Sequence, residues 1–368
     1  MDTWRTAIVG CGPRALQHAE AYALVTAGRL VACCDLDHVR LHTFGDRFDI
    51  ARDARYDDLG RLLEHVRPDV LHVVAVPRFR WSIVEVALRH PPRALIIDKP
   101  LAHRPDEGHR ILDACAAGGV HVFVNHQLRF HTPWRLVRSL LAEGAVGPIR
   151  HVRASCRGHL LEQGTHLFDL LAFLFPAASA WEARPPAVAG AGAAAASAER
   201  PATWVLAQAS DPDGFDKPHS GPGYACGELV LAPDWHVAFA CGPDAPAWPG
   251  EDRFWLQFGI EVTGRDGRLG ASLNHGWWLQ TAARRDGGQF LYYAEDLLAQ
   301  ARFTEGVLRM LDDPSEHPNN AQRSQVSFDL VMAAHKSALV RRRVAPGERV
   351  TDRDFDSLRA ALLTTSRG

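Results

Sequence analysis

The stretch AIVGCGPRA (7–15) limits the chain to very few folds. It places Gly10-x-Gly12-x-x-Ala15 directly behind an apolar run and at the mouth of a helical pattern. Gly10 permits a tight turn, and Gly12 lets the backbone come close to a pyrophosphate. Ala15 is small enough for helix to pack on strand. Pro13 occupies the first helical turn, where its missing amide costs little. The remaining amides and the helix dipole then face an anion. Gly10, Gly12, Pro13, Arg14 and Ala15 are therefore expected to contact a dinucleotide. A second apolar run ends in Asp35, 25 residues beyond Gly10, close to the spacing of a carboxylate that binds ribose hydroxyls. Asp37 adds negative charge, and no arginine directly follows Asp35 to receive a 2′-phosphate, so NAD is favoured over NADP.

The surrounding pattern agrees. Apolar runs at 5–10, 30–35, 70–76, 94–98 and 120–125 read as strands, with helix-length segments at 13–27, 57–66, 81–90 and 104–117 between them. Such alternation implies βαβ units and a parallel sheet buried on both faces. After about residue 125 the pattern changes. A helix near 133–143 and an apolar segment at 163–175 precede PPAVAGAGAAAASAERPA (185–202), which reads as a mobile surface loop. β-like runs with Gly, Pro and Asp turns follow, and 293–368 returns to helical periodicity. The expected fold is α/β: an N-terminal doubly wound Rossmann domain over 1–125, then an α+β domain over 126–368 with a large open, mostly antiparallel sheet.

Composition narrows the function. A net charge of −2 and 23% charged residues give no general electrostatic reason to bind nucleic acid or an anionic membrane. No apolar run approaches the roughly 18 residues needed to span a bilayer. The N-terminus has no basic n-region with a cleavage site, and seven cysteines include no C-x-x-C pair. A reduced cytoplasmic protein is expected, with no metal.

The run ALIIDKPLA (94–102) ends a buried strand with Asp98 and Lys99 and pins the backbone with Pro100. Parallel strands deliver ligand-facing residues at their carboxyl ends, and a residue before proline is held extended. In EQGTHLFDLLAFLF (162–175), Glu162, His166 and Asp169 fall at i, i+4 and i+7. If the segment is helical they share one face, with Leu167, Leu170, Leu171 and Leu174 around the rest.

Together, the glycine turn, Asp98-Lys99-Pro100, the Glu162–Asp169 segment and IEVTGRDGRLGAS (260–272) resemble the Gfo/Idh/MocA family of glucose–fructose oxidoreductase and inositol dehydrogenase. The resemblance implies that Lys99 projects towards nicotinamide and substrate, its pKa lowered by the bound cation. It implies that His166 exchanges the hydroxyl proton, that Asp169 orients the imidazole or caps local structure, and that Glu162 binds a substrate hydroxyl or assists proton transfer. Val76, Pro77, Asp98 and Lys99 complete the expected cofactor contacts. Val76 and Trp81 stand where the family commonly has threonine and histidine, and Asp98 where it has glutamate. A solvated lysine paired with Asp98, and a core histidine with two structural acids, are the bland alternatives.

The implied activity is an NAD(P)-dependent dehydrogenase or reductase acting on a secondary alcohol or ketone of a sugar, cyclitol or polyol. One alternative is a lyase or hydrolase using tightly held NAD for transient oxidation. Another is a non-catalytic NAD-binding sensor or co-repressor. Arg129 and His126 are expected to make interdomain hydrogen bonds in preference to touching substrate. Trp277 and Trp278 form an exposed sheet face or a subunit contact. The family's habit of pairing open sheets implies a homodimer or homotetramer.

Overall fold

The structure, a computed structural model, describes residues 3–175, 202–231, 235–250 and 253–365. The low-complexity stretch therefore lies outside the described residues up to Ala202, which opens a strand.

In chain order the principal elements begin with β1 (Trp4–Val9), α1 (Pro13–Glu20), β2 (Gly28–Cys34), α2 (His38–Arg47), β3 (Arg55–Tyr56) and α3 (Leu59–Val66). Next come β4 (Val70–Val73), α4 (Arg80–Ala87), β5 (Ala94–Asp98), α5 (Pro105–Ala117), β6 (His121–Asn125), α6 (Thr132–Ala142), β7 (Ile149–Cys156) and α7 (Gln163–Leu174). The strands β8 (Ala202–Ser210), β9 (Tyr224–Leu231), β10 (Trp235–Cys241), β11 (Phe258–Gly264), β12 (Gly267–Ser272), β13 (Gly276–Thr281) and β14 (Arg285–Gly288) follow. Three helices close the chain: α8 (Tyr292–Arg309), α9 (Ala321–Val340) and α10 (Asp352–Thr365).

The chain divides into two compact units, Met1–His131 with Tyr293–Ser324, and Thr132–Tyr292 with Gln325–Gly368. The first unit carries a six-stranded sheet ordered β3-β2-β1-β4-β5-β6. Every pair in it is parallel. This is the doubly wound order, whose strand sequence reverses between β1 and β4 and opens a ligand crevice there. The apolar runs are continuous because both faces are covered. On one side Ile8 and Cys33 meet Ala15 and Ala19 of α1 and Leu41 and Phe44 of α2. On the other, Val70, Ile96 and Phe123 meet Phe303, Val307 and Leu308 of α8.

The second unit holds an eight-stranded sheet ordered β14-β13-β12-β11-β7-β10-β9-β8. All its pairs are antiparallel except β7 with β10. The α/β fold with a Rossmann sheet and a second, mostly antiparallel sheet is thus as the sequence implies. Trp277 and Trp278 are half-buried rather than open, and the Trp278 indole donates to Glu261 (3.2 Å). Among the described residues no helix is long and apolar enough to cross a membrane.

Candidate functional site

In the first unit the glycine turn behaves as its residue types require. Gly10 adopts φ +89°, and a Cβ there would lie 2.9 Å from the Val74 carbonyl group. Gly12 is extended at the N-cap of α1, which has no side-chain cap, and a Cβ on it would meet no protein atom within 4 Å. The open space thus stands over the N-terminus of α1, the kind of room a bound anion needs. Pro13 is the first residue of α1, and Ala15 is fully buried against the sheet.

Asp35, just beyond β2, accepts from the amides of Cys11 (2.7 Å) and Asp37 (2.8 Å) and from Arg40 (3.1 Å). Burial opposes its ionisation, but the Arg40 hydrogen bond and the two amides hold it below the usual carboxylate range. Asp37 caps α2 by accepting from the Arg40 amide (3.0 Å). The Arg40 guanidinium also lies 3.1 Å from the Asp37 carboxylate, so it spans both acids. Arg40 is a residue that sequence reading overlooked, because the arginine sits five positions on rather than adjacent.

Further along the same sheet, beyond β1 and β4, the tip of β5 presents Asp98, Lys99 and Pro100. The Lys99–Pro100 bond is cis. Lys99 is partly buried, and its carbonyl accepts from Arg80 (3.3 Å). Arg80 is 1% exposed, and burial lowers its pKa to about 10. Asp98 turns inward, where Arg14 (3.1 Å), His18 (3.4 Å) and Asn125 (3.4 Å) reach its Oδ1. Burial raises its pKa, but Arg14, His18 and Lys99 together hold it well below the usual carboxylate range. Arg14, expected on the cofactor, thus reaches Asp98. Its Nη1 also lies 3.6 Å from Asp296 of α8, and its Nη2 donates to Gln300 (3.4 Å). Behind Asp98 runs a buried chain: the facing Nδ1 atoms of His18 and His72 are 3.1 Å apart, and the His72 Nε2 is 2.8 Å from the Tyr22 hydroxyl. Burial depresses both histidines. The one sequence signal for this shell was Asp296 and Gln300 at i and i+4, one turn apart on the same helix face.

Val76 is 40% exposed and Pro77 is buried, in the loop after β4. Arg129 donates to the Pro318 carbonyl (2.7 Å), and the His126 carbonyl accepts from Asn319 (3.4 Å), all within the first unit.

In the second unit, Glu162 is the N-cap of α7, and His166 and Asp169 follow on the helix. The expected narrow polar stripe is not what forms. Residues 163–171 are all buried, so α7 is covered on every side. His166 is 7% and Asp169 1% exposed, and Asp169 accepts from Ser327 of α9 (2.8 Å). Glu162 borders a cavity of about 550 Å³ that Arg157, His159, Lys217, His219 and Phe254 also line, with Pro218 and Pro243. These neighbours come from the loops after β7, β9's preceding turn and β10, so no local motif announces them. Among the described residues, no group of three or more His, Cys, Asp or Glu is placed to hold a metal. Lys99 and His166 belong to different units.

Residues 4–126 match the family model of the oxidoreductase family with an NAD-binding Rossmann fold, GFO_IDH_MocA. Two curated relatives are D-apiose dehydrogenases. That of Rhizobium rhizogenes is 29% identical over 147 residues, covering 40% of this chain and 42% of the enzyme. That of Paraburkholderia graminis is 27% identical over 189 residues, covering 47% and 50%. The chain thus matches about half the length of these relatives. A solved oxidoreductase from Agrobacterium radiobacter, in complex with NAD+, L-tartaric acid and magnesium, superposes with a TM-score of 0.76 at 19% identity, covering 94% of this chain and 99% of that one. That likeness is one of fold.

Proposed function

We propose, from the premise that residues 4–126 belong to the NAD-binding Gfo/Idh/MocA oxidoreductase family, that the protein is an NAD-dependent dehydrogenase or reductase. Its substrate would be the secondary alcohol or ketone of a sugar, cyclitol or related polyol, in line with the D-apiose named for two relatives. The observation that carries the reading is the tip of β5. There a lysine ends a buried parallel strand, at the edge that ligands use, with Asp98 turned inward and Arg80 fixing the backbone.

Bound NAD supplies the hydride acceptor. Gly12 and the start of α1 would hold its pyrophosphate, and Asp35 the ribose hydroxyls. Lys99, partly buried at the strand tip, would serve as an acid–base group beside the nicotinamide. His166 would take the hydroxyl proton on oxidation and return it on reduction. Asp169, tied to Ser327, fixes the register of the helix that carries it. Glu162 would accept from a substrate hydroxyl at the cavity. We assign the protein to a reduced cytoplasmic setting as a homodimer or homotetramer, which light scattering tests.

NADH fluorescence against a panel of sugars, inositols and sugar acids tests the activity. Lys99→Ala should abolish steady turnover while NADH binding persists. Tight NADH binding with no turnover of any substrate would mean a sensor, and product formation without net NADH would mean transient oxidation.

A further inference from the structure

We infer that the cavity of the second unit receives the anionic end of an acidic polyol, a carboxylate or a phosphate monoester, with Arg157 and His159 as its donors. The inference deepens the proposed function and rests on it for where the reacting carbon lies.

Arg157 follows β7, and its amide is fixed by donation to the Gln257 carbonyl (3.0 Å). Its side-chain Nε is buried and, among the described residues, has no hydrogen-bond partner. The same holds for the His159 Nδ1. The His159 backbone is also fixed, since its carbonyl accepts from the amides of Glu162 (3.0 Å) and Gly164 (3.1 Å). Two residues with fixed backbones thus line one cavity, each keeping a buried side-chain nitrogen that has no hydrogen-bond partner among the described residues, an arrangement that folded proteins avoid unless something else supplies the partner. A guanidinium only donates, so whatever meets it must accept. A planar carboxylate or a phosphate does so with the strongest hydrogen bonds available.

Charge then separates an anion from a neutral hydroxyl. Arg157 and Lys217 are two cations on the wall against the single carboxylate of Glu162. Lys217 is exposed at the rim, where it attracts anions without ordering them. Phe254 offers an apolar patch for the C–H face of a sugar ring. Glu162 disfavours a second charge at its own side of the cavity, so the ligand is charged at one end and hydroxylated at the other. A volume of about 550 Å³ suits one monosaccharide-sized acid.

Matched pairs decide it: D-glucose, D-glucuronate and D-glucose 6-phosphate, and D-galactose with D-galacturonate. Binding to the NAD+-loaded protein is measured by calorimetry, and turnover by NADH fluorescence. Binding of at least one acid should be tenfold or more tighter than that of its neutral partner. Arg157→Met should erase that preference, and Lys217→Ala should slow association at low salt. Wild-type protein that binds every neutral sugar as well as its acid overturns the inference, whatever the variants do. The uronate and phosphate arms distinguish the two anions. Preferential acid binding with no turnover would leave the anion site standing and remove the dehydrogenase reading.

Discussion

At the scale of single residues, the two glycines of the nucleotide turn do different work, and substitution separates them. Gly10 needs its positive φ and its bare α-carbon because any Cβ there would lie 2.9 Å from the Val74 carbonyl group. Gly10→Ala should therefore destabilise the first unit by at least about 1–3 kcal/mol, read from chemical denaturation. Gly12 faces open space. Gly12→Val should leave stability within about 0.5 kcal/mol yet raise the NADH dissociation constant tenfold or more, because the new side chain fills the room for the pyrophosphate. Equal losses of stability in both variants would contradict the assignment of that space to cofactor. Asp98 was legible as a strand-tip acid. That it turns inward to Arg14 and His18 was not, because its partners lie 84 and 80 residues away in sequence.

At the scale of elements, α8 completes the first unit although β6 ends at Asn125 and α8 begins only at Tyr292. Phe303 is fully buried beside Val70, Ile96 and Phe123 and meets the edge of the Phe130 ring at 5.8 Å. Phe303→Ala should cost about 3–5 kcal/mol, the usual range for emptying a buried aromatic site, and a urea melt of the protein measures it. A cost below 1 kcal/mol would mean that α8 is not part of that core. In the second unit, α7 is an apolar helix with a buried acid. Ser327→Ala removes the hydroxyl that donates to Asp169, and leaving a buried carboxylate short of one donor should cost about 1–3 kcal/mol. The periodicity of 162–175 announced the helix correctly. It misjudged the environment, because burial on every side depends on what later packs there.

For the whole molecule, four of the buried histidines among the described residues set how stability responds to acid. Burial holds His18 and His72 below their ordinary value, and lowers His317 and His335 to about 4. Each binds a proton more readily unfolded than folded, so stability is fully present above about pH 6.5 and falls as pH drops towards 4. Below that, the depressed carboxylates of Asp98 and Asp296 add to the loss. Thermal melts should show Tm falling steadily from pH 7 to pH 4, and His335→Phe should flatten part of the slope. A Tm independent of pH over that window would refute the account. The sequence by itself determined the alternation of strands and helices, the parallel sheet that such alternation implies, and the glycine turn, because each is written in the residue pattern along a single element or connection. Only the tertiary structure decided that α8 closes the first sheet, that Arg14 reaches Asp98, and that Lys217 and Phe254 join the β7 loop around Glu162. Those contacts join loops and helices far apart in the polypeptide, and no periodicity of side chains records which distant surface will bury them.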